Sequence, residues 1–207
     1  MNTIKKRSKL FFCIGLLVCC LLSCGKKELS AREYVQYLES EKSGARQEKN
    51  IADIKIAVQY KTAAYMALKE KREEATAVKE TVTKLKGMQY YTIKYSLTNS
   101  ETDIMKYNLA SQSDYYERLN YMSFGMQNDA SLIQGKDTLS CVLFNHVRNY
   151  GISPYTEIVL GFEETENELA FKENKTLLIN DRAFGLGYLK FLFQKNDLND
   201  LPELITE

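Results

Sequence analysis

Apolar and polar residues alternate over Ile54, Ile56, Val58 and Tyr60, with Lys55, Ala57 and Gln59 between them. A period of two places one set on each face of a pleated strand, so this stretch reads as a half-buried strand. Tyr91, Ile93, Tyr95 and Leu97 repeat the pattern and predict a second. Between the two, from Thr62 to Lys86, the composition changes to Ala, Glu, Lys and Leu. Ala64, Leu68, Ala75, Val78, Val82 and Leu85 recur there at helical spacing, Glu80 and Lys84 form an i,i+4 pair, and Gly87 stands where a C-terminal cap belongs. The pattern predicts one helix of about 25 residues, about 37 Å long, packed on its own sheet or zipped to a partner helix. Tyr65 to Leu68 also fits one arm of a hairpin. Upstream, Ser30-Ala31-Arg32-Glu33 is a capping box ahead of Tyr34, Val35, Tyr37 and Leu38, and Ser43-Gly44 stops that helix.

The second half reads differently. Asn99 to Tyr107 and Ser111 to Leu119 predict short helices with Glu101, Asp103 and Asp114 in their first turns. From Tyr121 strands dominate: Tyr121 to Phe124, Leu132-Ile133, a long strand from Thr138 to Val147, then Thr156 to Phe162, Leu169 to Phe171, Thr176 to Ile179 and Leu189 to Phe193. Asn128-Asp129, Gly135-Lys136-Asp137, Tyr150-Gly151 and Ser153-Pro154 supply the turns between them. Helices gathered in the first half and strands in the second predict an α+β fold, with an antiparallel β-sheet or β-sandwich rich in the C-terminal half.

The N-terminus is of another kind. Lys5, Lys6, Arg7 and Lys9 precede an apolar run from Leu10 to Leu22, too short to span a bilayer as a mature helix but of signal-peptide length. Leu21-Leu22-Ser23-Cys24, followed by Gly25, resembles the lipobox of a bacterial lipoprotein precursor. The resemblance covers only these first 25 residues. It implies cleavage after Ser23, lipidation of the Cys24 thiol and acylation of the new amino terminus. It further implies a lipid-anchored protein of the cell envelope, and in a Gram-negative host the outer membrane facing the periplasm, because Gly25 is not the Asp that holds such proteins at the inner membrane. The expected division is a signal peptide over 1–23, a short membrane tether over 24–29 and a single globular domain over 30–207.

Charge and cysteine use exclude several chemistries. Removal of residues 1–23 takes four of 28 Lys and Arg and none of 27 acids, leaving a formal charge of −3. A mildly acidic, mixed surface is not a nucleic-acid footprint. Cys13, Cys19 and Cys20 leave with the signal and Cys24 is the expected lipidated residue, so Cys141 has no partner for an intramolecular disulfide. One cysteine and one histidine, His146, do not build a common zinc site, and no cofactor motif is present. Gln134-Gly135-Lys136-Asp137-Thr138 lacks the upstream glycine of a phosphate loop and carries Asp137 at its Ser/Thr position; it reads as a turn. Gly185-Leu186-Gly187 lacks the third glycine of a dinucleotide site and reads as a bulge or tight bend. Glu163 to Glu168 offers carboxylates without the spacing of a calcium loop.

Two groups of residues retain a functional reading. His146, between Phe144 and Arg148 on one strand face, would serve as a general base only if the fold delivered a nucleophile or carboxylate, with Ser140, Ser153 and Asp137 eligible. Cys141, in phase with Leu139 and Leu143, reads as a buried thiol. Fourteen Tyr, nine Phe and no Trp mark an aromatic-rich chain, and Tyr150 and Tyr155 flank a Gly-Pro loop suited to ligand or partner contact. The expected function is a non-enzymatic binding, interaction or assembly module, its partners the membrane through lipidated Cys24 and an envelope protein or small ligand. The alternatives are an envelope hydrolase using His146 and an assembly factor docking through the 62–86 helix.

Overall fold

The computed structural model describes residues 26–71, 75–164 and 173–205. The signal segment with Cys24, the strand expected over Leu169–Phe171 and most of the acidic loop lie outside the described residues. The fold is α+β, with helices concentrated toward the N-terminal half and antiparallel sheets through the rest.

Eleven strands are described: β1 (Glu28–Leu29), β2 (Arg46–Ile51), β3 (Ile54–Lys61), β4 (Met88–Leu97), β5 (Ala130–Gln134), β6 (Asp137–Ser140), β7 (Leu143–Val147), β8 (Thr156–Glu163), β9 (Lys175–Asp181), β10 (Gly187–Phe193) and β11 (Glu203–Leu204). A five-stranded sheet in the order β2-β3-β4-β8-β7 faces a four-stranded sheet in the order β10-β9-β5-β6. Both are antiparallel throughout. Inward positions follow the period of two: Ile54, Ile56 and Val58 on β3, Tyr91, Ile93 and Tyr95 on β4, and Leu177 and Ile179 on β9 are buried together. The Tyr91 ring links the sheets, standing 5.8 Å from Phe162 on its own sheet and 5.4 Å from Phe193 on the other. Fully burying one such side chain contributes about 1.5–3 kcal/mol, so this interface dominates stability. Ile104, Met105, Met122 and Met126 close its side.

A second, smaller core lies among the helices. Helix α1 (Ala31–Glu39) starts at the expected capping box, where Glu33 Oε2 accepts the Ser30 amide at 3.2 Å. The expected long helix is instead two, α2 (Ala63–Lys71) and α3 (Ala75–Lys84), folded against each other. Doubling back lets Leu68 and Val78 bury one another's stripe with Tyr34, Leu38 and Tyr65, which a single rod would leave partly unpartnered. The hairpin alternative for Tyr65 to Leu68 is also replaced by helix. Glu28–Leu29, the end of the expected tether, forms β1 and pairs in parallel with β11.

Three further expectations are corrected. Asn99 to Tyr107 holds only a single tight turn, Ile104–Lys106, capped by Asp103. Tyr121 to Phe124 is not strand: it continues from α4 (Gln112–Asn120) as a π-helical turn, Tyr121–Gly125, and then a 3₁₀ turn, Met126–Asp129. The long strand from Thr138 to Val147 is β6 and β7, which belong to different sheets and part at Cys141 and Val142. There the Cys141 thiol donates to the Leu143 carbonyl at 3.0 Å and the Val142 amide to Gly161 O at 2.9 Å. The inward phase shifts at this crossing: Leu139 and Cys141 turn inward before it, Phe144 and His146 after it, and Leu143 and Val147 are left exposed.

The glycine turns behave as expected. Gly135, at φ +61°, opens the two-residue turn joining β5 and β6. The Gly185–Gly187 stretch is a bend folded over Asp181, whose Oδ1 accepts the Phe184 amide at 2.9 Å. A short C-terminal helix, α5 (Lys195–Asn199), packs its Asp197 where a Cβ on Gly44 would stand, 2.4 Å from Asp197 Cβ.

Candidate functional site

The outward phase of the five-stranded sheet is polar. It presents Arg46 from β2, Ala57, Gln59 and Lys61 from β3, Thr92 and Lys94 from β4, and Glu157 and Val159 from β8. Helix α2 overhangs part of this face with Tyr65, Met66 and Lys69, and the end of α1 adds Glu39. Sheet and helix together enclose a cleft of about 420 Å³. Overhang, not sequence phase, makes it: Gln59 and Lys61 occupy solvent-side positions of a strand yet are 5% and 9% exposed.

Lys61 is the centre of this cleft. Its Nζ donates to Gln59 Oε1 at 2.9 Å and lies 4.1 Å from the Tyr65 ring centroid. Gln59 is fixed in turn, because its Nε2 donates to the Leu38 carbonyl at 3.0 Å. Burial pushes the Lys61 ammonium down to about 8, and Glu157 and Glu39 only partly restore it. The other charges are committed elsewhere. Arg46 donates to Glu48, and Lys69 Nζ lies 3.3 Å from Glu39 Oε1. Burial works to raise the Glu39 carboxyl, but hydrogen bonds from Tyr65 and Lys69 outweigh it and leave the group below its ordinary range. The Tyr65 hydroxyl is raised by desolvation and by that same carboxylate. Lys94 Nζ sits 3.7 Å from the Tyr155 ring centroid.

A second buried lysine lies on the opposite side of the sheet. Lys175 of β9 donates across the sandwich to Gln89 Oε1 at 2.6 Å, and Gln89 Nε2 donates to Gln134 Oε1 at 3.0 Å. All three are almost fully buried, forming a polar pillar between the sheets. Desolvation lowers the Lys175 ammonium to about 8 as well.

The residues singled out from the sequence fall in separate places. Tyr150 stands at a loop tip, 83% exposed and at φ +50°, while Tyr155 turns back under Lys94. The loop thus joins Tyr155 to the cleft through Lys94 and leaves Tyr150 apart. Cys141 is buried and its thiol is raised by desolvation. His146 is half-buried on edge strand β7. Its Nδ1 is 3.1 Å from Ser123 Oγ and its Nε2 is 2.7 Å from Thr156 Oγ1. Ser140, Ser153 and Asp137 are not the partners; Ser123 is, delivered by the π-helical turn that the sequence pattern disguised as strand. Burial and then Arg148 lower the imidazole, and Arg148 Nη2 also donates to Ser123 Oγ at 3.3 Å. No carboxylate touches this group among the described residues, and neither described cavity opens onto it.

The second cavity, about 410 Å³, runs between α1, α2, α3 and β11, lined by Tyr34, Ala64, Val82 and Leu204 with Lys79 and Lys86 at its rim. The apolar stripe expected to dock a partner does not lie open along it: Leu68 and Val78 are buried, and Val82 and Leu85 are half-buried. Among the described residues no three His, Cys, Asp or Glu side chains are grouped to hold a metal ion, and no helix is long and apolar enough to cross a membrane.

No protein-family model and no curated protein matches the chain. Among solved structures, it is similar at 11% identity and a TM-score of 0.37 to a DUF4426 family protein from Pseudomonas aeruginosa PAO1, covering 72% of this chain and 91% of that one. It is also similar at 10% identity and a TM-score of 0.38 to a protein of unknown function from Burkholderia pseudomallei K96243, covering 84% and 93%. Likeness at this level assigns no function.

Proposed function

We propose that the protein is an envelope lipoprotein, anchored through acylated Cys24, that acts as a non-enzymatic binding module with the cleft around Lys61 as its ligand site. In a Gram-negative host its place is the outer membrane, facing the periplasm. The observation that carries the binding reading is the cleft itself. It is concave and of ligand size, most of its lining is polar or charged, and some of those groups are held in fixed positions. Lys61 is desolvated there, and its amide partner Gln59 is held in place by a second hydrogen bond. The test is native mass spectrometry of the full chain extracted from membranes in mild detergent. A small adduct should be retained and should disappear in Thr92→Trp, which fills the cleft; identical spectra retire the site. Cys24→Ala should move the protein out of the membrane fraction, and unchanged sedimentation and processing retire the anchor.

One observation favours a second reading, hydrolysis by Ser123 with His146 as base: the Ser123 Oγ to Nδ1 distance of 3.1 Å, with Nε2 steadied by Thr156. Its test is release of p-nitrophenol from p-nitrophenyl acetate. Ser123→Ala and His146→Ala should each lower the rate at least tenfold under that reading, and a rate equal to the wild type removes it.

A further inference from the structure

The charge in the cleft is unevenly committed. Four bases line it, Arg46, Lys61, Lys69 and Lys94, against two acids, Glu39 and Glu157. Arg46 and Lys69 are in ion pairs with Glu48 and Glu39, and Lys94 rests on the Tyr155 ring. Lys61 differs from all three: among the described residues it makes no ion pair, its close partners are an amide oxygen and an aromatic face, and Glu157 and Glu39 act on it from farther off. An ammonium has three donors, and one of them is used. A buried cation with no acid in ion-pair contact is costly to hold, and that cost falls when an anion arrives. A neutral ligand would instead displace the cleft's water and leave the ammonium still less solvated. In the same lining Glu157, across the β4–β8 pair from Lys94, makes no ion pair among the described residues, although it is close enough to act on Lys61. It is a free acceptor in a lining that also holds a donor.

Building on the reading of the cleft as a ligand site, we propose that its ligand is a small anion, a carboxylate or phosphate seated on Lys61 Nζ, carrying a hydroxyl or similar donor toward Glu157. Lys94, resting on the Tyr155 ring and not in an ion pair among the described residues, adds positive charge at the rim that draws the anion in. Lys61, with its amide partner already fixed, needs little reorganisation to receive it. The depressed ammonium gives the site a pH signature: it is charged near pH 7 and mostly neutral by pH 9.5, whereas lactate keeps its charge throughout that range.

The test follows thermal unfolding of the full chain in neutral detergent, at constant ionic strength, with lactate, lactamide or inorganic phosphate as probes. A ligand that binds only the folded state raises the midpoint with concentration. Lactate should raise it where lactamide, the same shape without the charge, does not. The lactate effect should vanish in Lys61→Met, and its apparent affinity in the wild-type chain should fall on the order of tenfold between pH 7 and 9.5. The pH series needs no variant and stands if Lys61→Met does not fold. Phosphate separates the two anion classes: a shift lost in Lys61→Met places phosphate among the ligands, and one that persists in Lys61→Met is a general salt effect and leaves carboxylates alone. If lactamide stabilises as well as lactate and Thr92→Trp cancels both, the cleft stands and its anionic ligand falls. If no probe acts, or Thr92→Trp leaves the lactate effect intact, the cleft itself is overturned.

Discussion

Lys61 and Lys175 are two answers to one problem, a lysine amine taken out of water. Both donate to a glutamine amide oxygen, both lie near a tyrosine ring, and burial lowers both to about 8. They differ in what surrounds them. Lys175 stands between two sheets and lines neither described cavity, and its glutamine is bound in turn to a second glutamine from the facing sheet. Lys61 opens onto a cleft of about 420 Å³ with donors to spare. The same cost of burial therefore has two uses. In the pillar it fixes how the sheets register, and in the cleft it leaves a charge that a ligand can satisfy.

Removing each amide partner measures the difference. Gln89→Leu strands a sealed ammonium and the Gln134 amide together, and should cost about 3 kcal/mol in urea unfolding, in the range for a buried charge stripped of its partner. Gln59→Leu should cost about 1 kcal/mol, since Lys61 can turn to water in the cleft and only the bond to Leu38 O is lost outright. Equal losses would mean that the cleft is as sealed as the pillar, and the comparison would fail.

A smaller effect is the pH dependence of stability. Each lysine has a folded pKa near 8, below its unfolded value, so between about pH 8 and 10 the unfolded chain binds more protons and stability rises with pH. Above about pH 10 the sign reverses, because burial raises the phenols of Tyr60, Tyr91 and Tyr95 and the unfolded chain ionises first. The urea midpoint should therefore pass through a maximum near pH 10. Lys61→Met and Lys175→Met should each flatten part of the rise, and a midpoint that declines steadily from pH 8 contradicts both shifts.

The two lysines also mark what the sequence can disclose. Gln89, Gln134 and Lys175 share the inward phase of Tyr91, Leu132 and Leu177, so a polar residue in an apolar register already announces the pillar. Lys61 falls in the outward phase of Ile54 to Tyr60, where a lysine is ordinarily solvated, and no local pattern reveals that α2 will lean over it. The phases of β3 and β4 and the α1 and α4 caps follow from local rules, and these elements form as expected. The division of Thr138–Val147 between sheets does not, because Leu139, Cys141 and Leu143 hold one phase in the sequence while the buried phase passes to Phe144 and His146 after the crossing. Ser123 was hidden for a related reason: Tyr121 and Ser123 alternate with Met122 and Phe124, yet the turn they form is helical.

The pairing of β1 with β11 has a mechanical consequence. Tension on the residues ahead of Lys26 enters the body through a two-residue ladder, carried by Glu203 N to Lys27 O and Ile205 N to Leu29 O, each 2.9 Å. So short a ladder gives way before the long strands of the sandwich do. When it parts, Leu29 is drawn from the helical core, and Leu204, in the wall of the helical cavity, loses its strand partner. The clasp is thus a fuse: a pull from the N-terminal side loosens the helical end while the sheets, and the outer-face cleft they carry, hold their shape.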